Sequence, residues 1–373
     1  MNQPIRVLCV FSTLDRGGAE SMCMNLYRHI DHSKVQFDFV KHTNQKGAFE
    51  DEIIAMGGKI FSAPRYQIYN QMAYENWWRN HLQNHPEHQI IHGHFFTISA
   101  VYFKVCKRFD RITVAHSHCM DSPKGLKKNR LKHFLEIQLQ NKISKYSDCY
   151  LACSRQAGID VFGDHQAFRV LNNAIEASKF RSDPETAKTV REEFSLGNSL
   201  VLGNVSRFNL QKNPHGTLEI FRLVHEKRPD SKLLWVGDGP MRAEVQAKVA
   251  EYGIQDDVIF TGVRSDVNKL LQGMDAFLMP SFYEGLPVAA VEAQAAGLQS
   301  LISENVTREV GVTELCHFLP LDDLTAWADA IVQLPAGKEH PDMYDQIVKA
   351  GYDIHETAKW IQEFYLSLSE KEN

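Results

Sequence analysis

The chain has 373 residues with a formal net charge of −5, and it is 43% hydrophobic and 23% charged. That length allows two domains with a core each, and the composition excludes disorder as the default. The acidic balance excludes a global nucleic-acid footprint, so any anion binding has to be local. Seven cysteines, an odd number without a CxxC pair, read as reduced thiols of a cytosolic protein rather than a disulfide framework.

Met1-Asn2-Gln3-Pro4 runs straight into a strand, which predicts no signal peptide, and no apolar run is long enough to span a bilayer. Residues 5–12 form a continuous apolar run, the pattern of a strand covered by helices on both faces. Leu14-Asp15-Arg16-Gly17-Gly18-Ala19-Glu20 follows, then a helix with Met22, Leu26 and Ile30 on one side. Gly17 and Gly18 permit close backbone approach, to a ligand or for structural reasons, but they are not a GxGxxG dinucleotide fingerprint. Further strands at 37–41, 59–62, 90–94, 112–118, 150–154 and 168–171 alternate with helical segments. That alternation predicts a doubly wound parallel sheet. Residues 65–78 are aromatic and polar without a clean period, so they read as surface helix packing or as part of an acceptor groove.

His116 and His118 sit two apart at a strand end and share one face. With His92, His94 and Cys119 they have the composition of a metal site. No carboxylate follows at ligand spacing, so no metal is assigned. Residues 121–145 are the one strongly basic stretch. Lys124, Lys127, Lys128, Arg130 and Lys132 cluster before an amphipathic helix carrying Leu131, Phe134, Leu135 and Ile137. Such a segment is a solvated face or, over residues 124–135, a surface that rests on anionic lipid.

Residues 177–198 are charged, contain Pro184 and Gly197, and read as the segment joining two domains, 1–180 and 198–354. The second domain begins with a strand at 200–205 and the sequence SRFNLQKNP. Arg207 and Lys212 flank the turn after that strand. Two cations at the carboxyl edge of a sheet neutralise a diphosphate, and Arg offers bidentate contact. Strands at 232–236, 258–261, 276–280, 298–303 and 316–319 complete the sheet, and Gly262-Val263-Arg264 forms a turn. Residues 276–305 are the most informative: a strand, the loop SFYEGL, a helix opening at Pro287 and closed by Gly297, and another strand. In parallel α/β sheets a loop that leaves a strand and feeds a helix N-terminus is where ligands sit. In the turn Gly285-Leu286-Pro287-Val288, the free amides of Gly285, Leu286 and Val288 suit a phosphate. Glu284 and Glu292 bracket this anion site. Carboxylates repel phosphate but accept hydrogen bonds from hydroxyls, so a nucleotide-sugar fits, with hydroxyls on both sides of its diphosphate.

SFYEGLP followed by EAQAAG resembles the donor-site signature of retaining GT-B glycosyltransferases of the large family four, of the type that builds exopolysaccharide and capsule. RFxxxKNP resembles that family's phosphate-binding pair, and VAHSH its first-domain histidine motif. Asn172-Asn173-Ala174-Ile175-Glu176 resembles its Asn-Gly-Val-Asp turn, with Ala174 where Gly is usual. The resemblance covers nearly the whole chain. It implies two Rossmann-like α/β domains facing a central cleft, the first for the acceptor and the second for the donor. A last helix, about 355–373, would pack back on the first domain. It also implies roles. Gly17 and Gly18 approach the diphosphate, and His116 faces the donor sugar. Arg207 and Lys212 hold the diphosphate together with the amides at 285–288. Main-chain groups of Val263 and Arg264 hold the base, Glu284 positions the sugar and Glu292 takes the ribose.

The expected reaction is retaining transfer from a nucleotide-sugar, with UDP favoured over a guanine nucleotide, to a lipid-linked or saccharide acceptor on the cytoplasmic face of a membrane. No Asp-x-Asp pair occurs, and neither a metal nor a cofactor is expected. Two alternatives are a GT-B sugar-nucleotide epimerase and a non-catalytic nucleotide-sugar-binding partner of a transferase. A metal hydrolase built on the histidines is a third.

Overall fold

The computed structural model describes residues 3–94, 98–118 and 142–370. The chain divides into two units, one of Met1–Ala174 with Ile354–Asn373 and one of Ile175–Asp353.

Among the described residues the first unit is built on seven parallel strands: β1 (Ile5–Val10), β2 (Val35–Lys41), β3 (Ile60–Ser62), β4 (His88–Gly93), β5 (Ile112–Ser117), β6 (Cys149–Ala152) and β7 (Arg169–Val170). Their order across the sheet is β3-β2-β1-β4-β5-β6-β7. Side chains alternate across a strand, so β1 feeds two cores. Val7 and Cys9 pack with Phe37 and Phe39 on one face, and Leu8 and Val10 with Val40 and Ile91 on the other. This explains the uninterrupted apolar run: neither face of β1 meets water.

The last helix, Ile354–Glu370, closes the first of these cores with Ile354, Ala358, Ile361, Tyr365 and Leu368. The i, i+4, i+7 spacing puts all five on one stripe. Fully burying one large aliphatic side chain contributes about 1.5–3 kcal/mol, which outweighs the slowly growing entropy of closing a long loop. The C-terminal segment therefore returns to the first unit. Residues 65–78 supply the buried Tyr74 and Trp78 to the other core, so packing is their main duty, while Ile68, Tyr69 and Met72 are exposed.

The second unit has six parallel strands: β8 (Leu200–Val205), β9 (Ser231–Val236), β10 (Val258–Gly262), β11 (Ala276–Met279), β12 (Gln299–Ser303) and β13 (Cys316–Leu319). Their order is β10-β9-β8-β11-β12-β13. In both sheets the order reverses beside the first strand, between β1 and β4 and between β8 and β11. At such a point the loops from the carboxyl ends diverge and leave a crevice.

Residues 177–198, read from composition as a joining segment, belong to the body of the second unit. Phe180, Val190 and Leu196 are buried in its core, the helix Pro184–Glu193 is capped by Asp183, and Arg191 pairs with Asp275 at 2.7 Å. The charges that suggested a linker are the wet side of an amphipathic helix. Ala174 takes no left-handed conformation, so its turn has no need of Gly. The basic stretch 124–135 and Cys119 lie outside the described residues. Among the described residues no helix is long and apolar enough to cross a membrane.

Candidate functional site

β8 and β11 are neighbours, with Leu202 opposite Ala276 and Gly203 opposite Phe277, so the loops that leave them emerge side by side. The loop after β8 is held from below by Phe208, whose ring stacks on Trp235 at 4.5 Å. It is held from the side by Gly237, at φ +136°, where a Cβ would stand 2.0 Å from the Ser206 carbonyl oxygen. Asn209 Oδ1 accepts from the Lys212 amide and closes the short turn Leu210–Lys212. Asn213 then adopts a left-handed φ of 51°, caps the next helix through the Gly216 amide at 3.0 Å, and donates from Nδ2 to the Pro280 carbonyl at 3.0 Å. Asparagine tolerates that conformation and caps well, and Pro214 at the first helical position completes the signal.

Gln211 laces the two loops together. Its carbonyl accepts from the Phe282 amide at 2.9 Å, and its side-chain amide donates to the Tyr283 carbonyl at 3.1 Å. As a result Lys212 Nζ donates to Glu284 Oε1 at 2.5 Å, with the carboxylate 7% exposed and the lysine side chain 20% exposed. An ammonium has three donors, so two remain for a ligand. Arg207 is exposed at the head of the same loop.

The helix Val288–Ala295 begins one residue later than its sequence predicts. Pro287 is its N-cap rather than its first residue, and no side chain caps the first turn. Such uncapped amides, with the helix dipole behind them, form an anion site. Leu286 and Pro287 are buried and fix the turn, while Gly285 and Val288 are half-buried. The Lys212 contact offsets the Glu284 charge that would otherwise oppose an anion there. Gly297, at φ +77°, follows the C-cap Ala296. Glu292 lies in this helix, half-buried, with no side-chain hydrogen bond or ion pair among the described residues. Burial pushes its carboxyl up to about 7. It is a carboxyl in want of a hydrogen-bonding partner, which suits a hydroxyl. At the end of β10, Val263 is exposed. The Arg264 guanidinium is committed to Asp266 at 2.7 and 2.8 Å and to Glu193 at 3.2 Å, which leaves its main chain to meet a ligand.

In the first unit, Gly17 caps the helix Gly18–His29 with an ordinary extended backbone, and a Cβ at Gly18 would meet nothing within 4 Å. At the ends of β4 and β5 four histidines gather. His92 and His116 are bonded Nε2 to Nδ1 at 3.2 Å, and His94 and His118 Nδ1 to Nε2 at 2.8 Å. Rings stack across the pairs, His92 on His94 and His116 near His118, both with centroids 4.0 Å apart. Burial is the first cause that drives all four below the usual histidine range, His92 and His118 to about 3, so they are neutral. Nitrogens of His92, His94 and His116 lie within 4.8 Å of one another, close enough to consider a metal. Ring lone pairs lie in the ring planes, however. The His92 ring stacks on His94 and lies near-parallel to His116, and His92 Nε2 already faces His116 Nδ1 in a hydrogen bond. The arrangement suits paired neutral imidazoles. His116 is 2% exposed, and its Nε2 is buried with no partner among the described residues.

Sequence pattern singles out Lys212, Glu284 and Glu292 but not Gln211 or Asn213, which place the first two. The Asn-Pro step before a helix was the available signal for Asn213. For Gln211 no local pattern exists, because its partners lie on another strand's loop.

Comparison with known proteins identifies the family and the fold. Residues 16–179 match the family profile described as Glycosyltransferase Family 4, and residues 199–336 that described as Glycosyl transferases group 1. The chain is 30% identical to EpsF of Bacillus subtilis (strain 168), a protein named as a glycosyltransferase, over 99% of this chain and 98% of that protein. It is 28% identical, over 56% of each, to the UDP-Gal:alpha-D-GlcNAc-diphosphoundecaprenol alpha-1,3-galactosyltransferase of Escherichia coli. Among solved structures, Anabaena Alr3699/HepE in complex with UDP and glucose superposes with a TM-score of 0.72 at 16% identity, over 96% of this chain and 94% of that one. The sucrose-phosphate synthase of Thermosynechococcus elongatus reaches 0.75 at 16% identity, over 99% and 100%. These structures establish the GT-B fold for this chain.

Two measurements test the site's construction. Asn213→Ala loses the cap, the bond to the Pro280 carbonyl and a tolerated left-handed residue, whereas Asn213→Gly loses the first two and keeps the backbone freedom, so Ala costs about 1–2 kcal/mol more than Gly. Calorimetry should show Tm falling by several degrees more for Ala than for Gly, and equal values would refute the account. Glu292 binds its proton more tightly folded than unfolded, about 7 against an ordinary 4.5. Its contribution is therefore fully present below about pH 4.5 and is lost as pH rises through about 7. Relative to wild type, Glu292→Gln should gain Tm between about pH 5 and pH 8, and a constant difference across that range would exclude the shift.

Proposed function

The chain belongs to glycosyltransferase family 4, and from that premise we propose that it is a retaining transferase. It moves a sugar from a UDP-linked donor to a lipid-linked acceptor in the assembly of a surface polysaccharide such as exopolysaccharide or capsule. The observation that carries the reading is Lys212 joined to Glu284 at 2.5 Å beside the uncapped start of the helix Val288–Ala295. Cationic donors, free amides and a hydroxyl acceptor stand at one point of one sheet edge. The names of relatives support the substrates. Anabaena Alr3699/HepE holds UDP and glucose, and the Escherichia coli relative is named for UDP-Gal and a diphosphoundecaprenol acceptor.

In this reading the diphosphate takes its hydrogen bonds from Arg207, Lys212 and the amides of Gly285, Leu286 and Val288. Glu292 accepts from a ribose hydroxyl, main-chain groups of Val263 and Arg264 hold the base, and Glu284 accepts from a sugar hydroxyl. By the family resemblance, Gly17 and Gly18 are read as contacts of the diphosphate and His116 as a contact of the sugar. The bond from the anomeric carbon to the diphosphate oxygen breaks as the acceptor oxygen forms its bond on the same face. The acceptor's proton passes to the departing phosphate oxygen. Negative charge grows on the diphosphate during departure. Donors already fixed around it stabilise that growth without reorganising, commonly the largest single contribution to catalysis. Glu284 is neutralised by Lys212 and serves to position rather than attack. The residues 124–135 would rest on anionic lipid on the cytoplasmic face, where a lipid-linked acceptor is reached.

Lys212→Ala should lower kcat by about 100-fold or more, the usual cost of removing one such donor. Its circular dichroism should match wild type, and near-normal turnover would refute the phosphate role. Because Lys212, Arg207 and the helix amides supply the charge that a divalent ion supplies elsewhere, transfer should proceed unchanged in EDTA. Loss of activity restored by Mg2+ or Mn2+ would overturn that account.

A further inference from the structure

We propose that Tyr365 and His92 form a positioning relay that fixes His116 in its Nε2–H tautomer, so that it presents a hydrogen-bond donor to an oxygen of the donor substrate. Tyr365 comes from the last helix and is 1% exposed. Its hydroxyl makes one hydrogen bond among the described residues, to His92 Nδ1 at 2.5 Å. A buried hydroxyl proton without an acceptor is costly, so Tyr365 is the donor and His92 Nδ1 the acceptor. Desolvation holds the Tyr365 pKa well above the ordinary phenol value, so the proton stays in place.

The rest follows from counting protons on neutral rings. His92 accepts at Nδ1 and therefore carries its hydrogen on Nε2. That nitrogen lies 3.2 Å from His116 Nδ1 and donates to it. His116 accepts at Nδ1 and carries its own hydrogen on Nε2, the atom that is buried and has no partner among the described residues. Burial keeps both rings neutral, so the chain of donors runs one way. The His94–His118 pair stacks on these rings but exchanges no hydrogen bond with them among the described residues. An Nε2–H cannot ligate a metal. It can donate to a hydroxyl or phosphate oxygen. The proposal rests on the reading of His116 as a contact of the donor sugar, and it adds two residues that act through it.

The test uses the full chain labelled with 15N in histidine, with His116 assigned through His116→Gln. Long-range 1H–15N correlation should show the Nε2–H pattern for His116 in wild type and a mixture of tautomers in Tyr365→Phe, which removes only the hydroxyl. An Nδ1–H pattern in wild type, or an unchanged pattern in Tyr365→Phe, would overturn the relay. In binding measurements with UDP and UDP-glucose as probes, Tyr365→Phe should weaken UDP-glucose about five-fold, the worth of one ordinary hydrogen bond, and leave UDP unchanged. Equal weakening of both would mean a structural effect and refute the relay's action on the sugar. A changed tautomer with unaltered UDP-glucose affinity would keep the relay and remove His116 from the donor site.

Discussion

The candidate site of the second unit depends on one contact, the ion pair between Lys212 and Glu284. It exists because two strands far apart in sequence, β8 and β11, are neighbours at the point where the sheet's order reverses. Each strand ends in a loop that could go elsewhere alone. Gln211 and Asn213 bind them to each other, and the lysine then has one geometry left. An exposed pair of this kind contributes little, because water screens it and long side chains resist ordering. Here the carboxylate is buried and the pair is held by a backbone lattice, so removing either partner strands a charge. The same pair solves an electrostatic problem: a carboxylate can stand next to an anion site without repelling the anion.

The Glu284–Glu292 region and the histidine cluster handle polar groups by opposite means. In the first, charge is kept and paired, and the Glu292 carboxyl, pushed up to about 7 by burial, has no side-chain partner among the described residues. In the second, four imidazoles are dried until none carries charge. A dry histidine cluster loses titration but gains direction, since each neutral ring has one donor and one acceptor nitrogen. The final helix gives that cluster its outer partner, Tyr365, and the stripe that docks this helix also places the hydroxyl. A packing decision and a chemical one are therefore made by the same residues.

Much of the architecture is legible from local pattern. Apolar runs broken by turns at regular spacing marked all thirteen strands of the two sheets. Their boundaries moved by a residue or two, because strand ends depend on hydrogen bonds to a neighbour rather than on composition. The helix after Glu284 was legible because Pro and Gly punctuate it, although Pro287 caps the helix instead of opening it. The segment 177–198 misled because charge on one side of a helix looks like a linker when only four of its residues, Ala177, Phe180, Val190 and Leu196, are buried.

The sequence by itself determined the fold class and the family and singled out candidates for meeting a phosphate or a hydroxyl, since these follow from residue chemistry and short-range spacing. Only the tertiary structure decided that Lys212 reaches Glu284, that the Arg264 guanidinium is spent on carboxylates, and that the histidines sit in bonded pairs under Tyr365. Those outcomes depend on which strands lie side by side and on how dry the space between them is. Both are set by long-range packing, which no local stretch of the chain encodes.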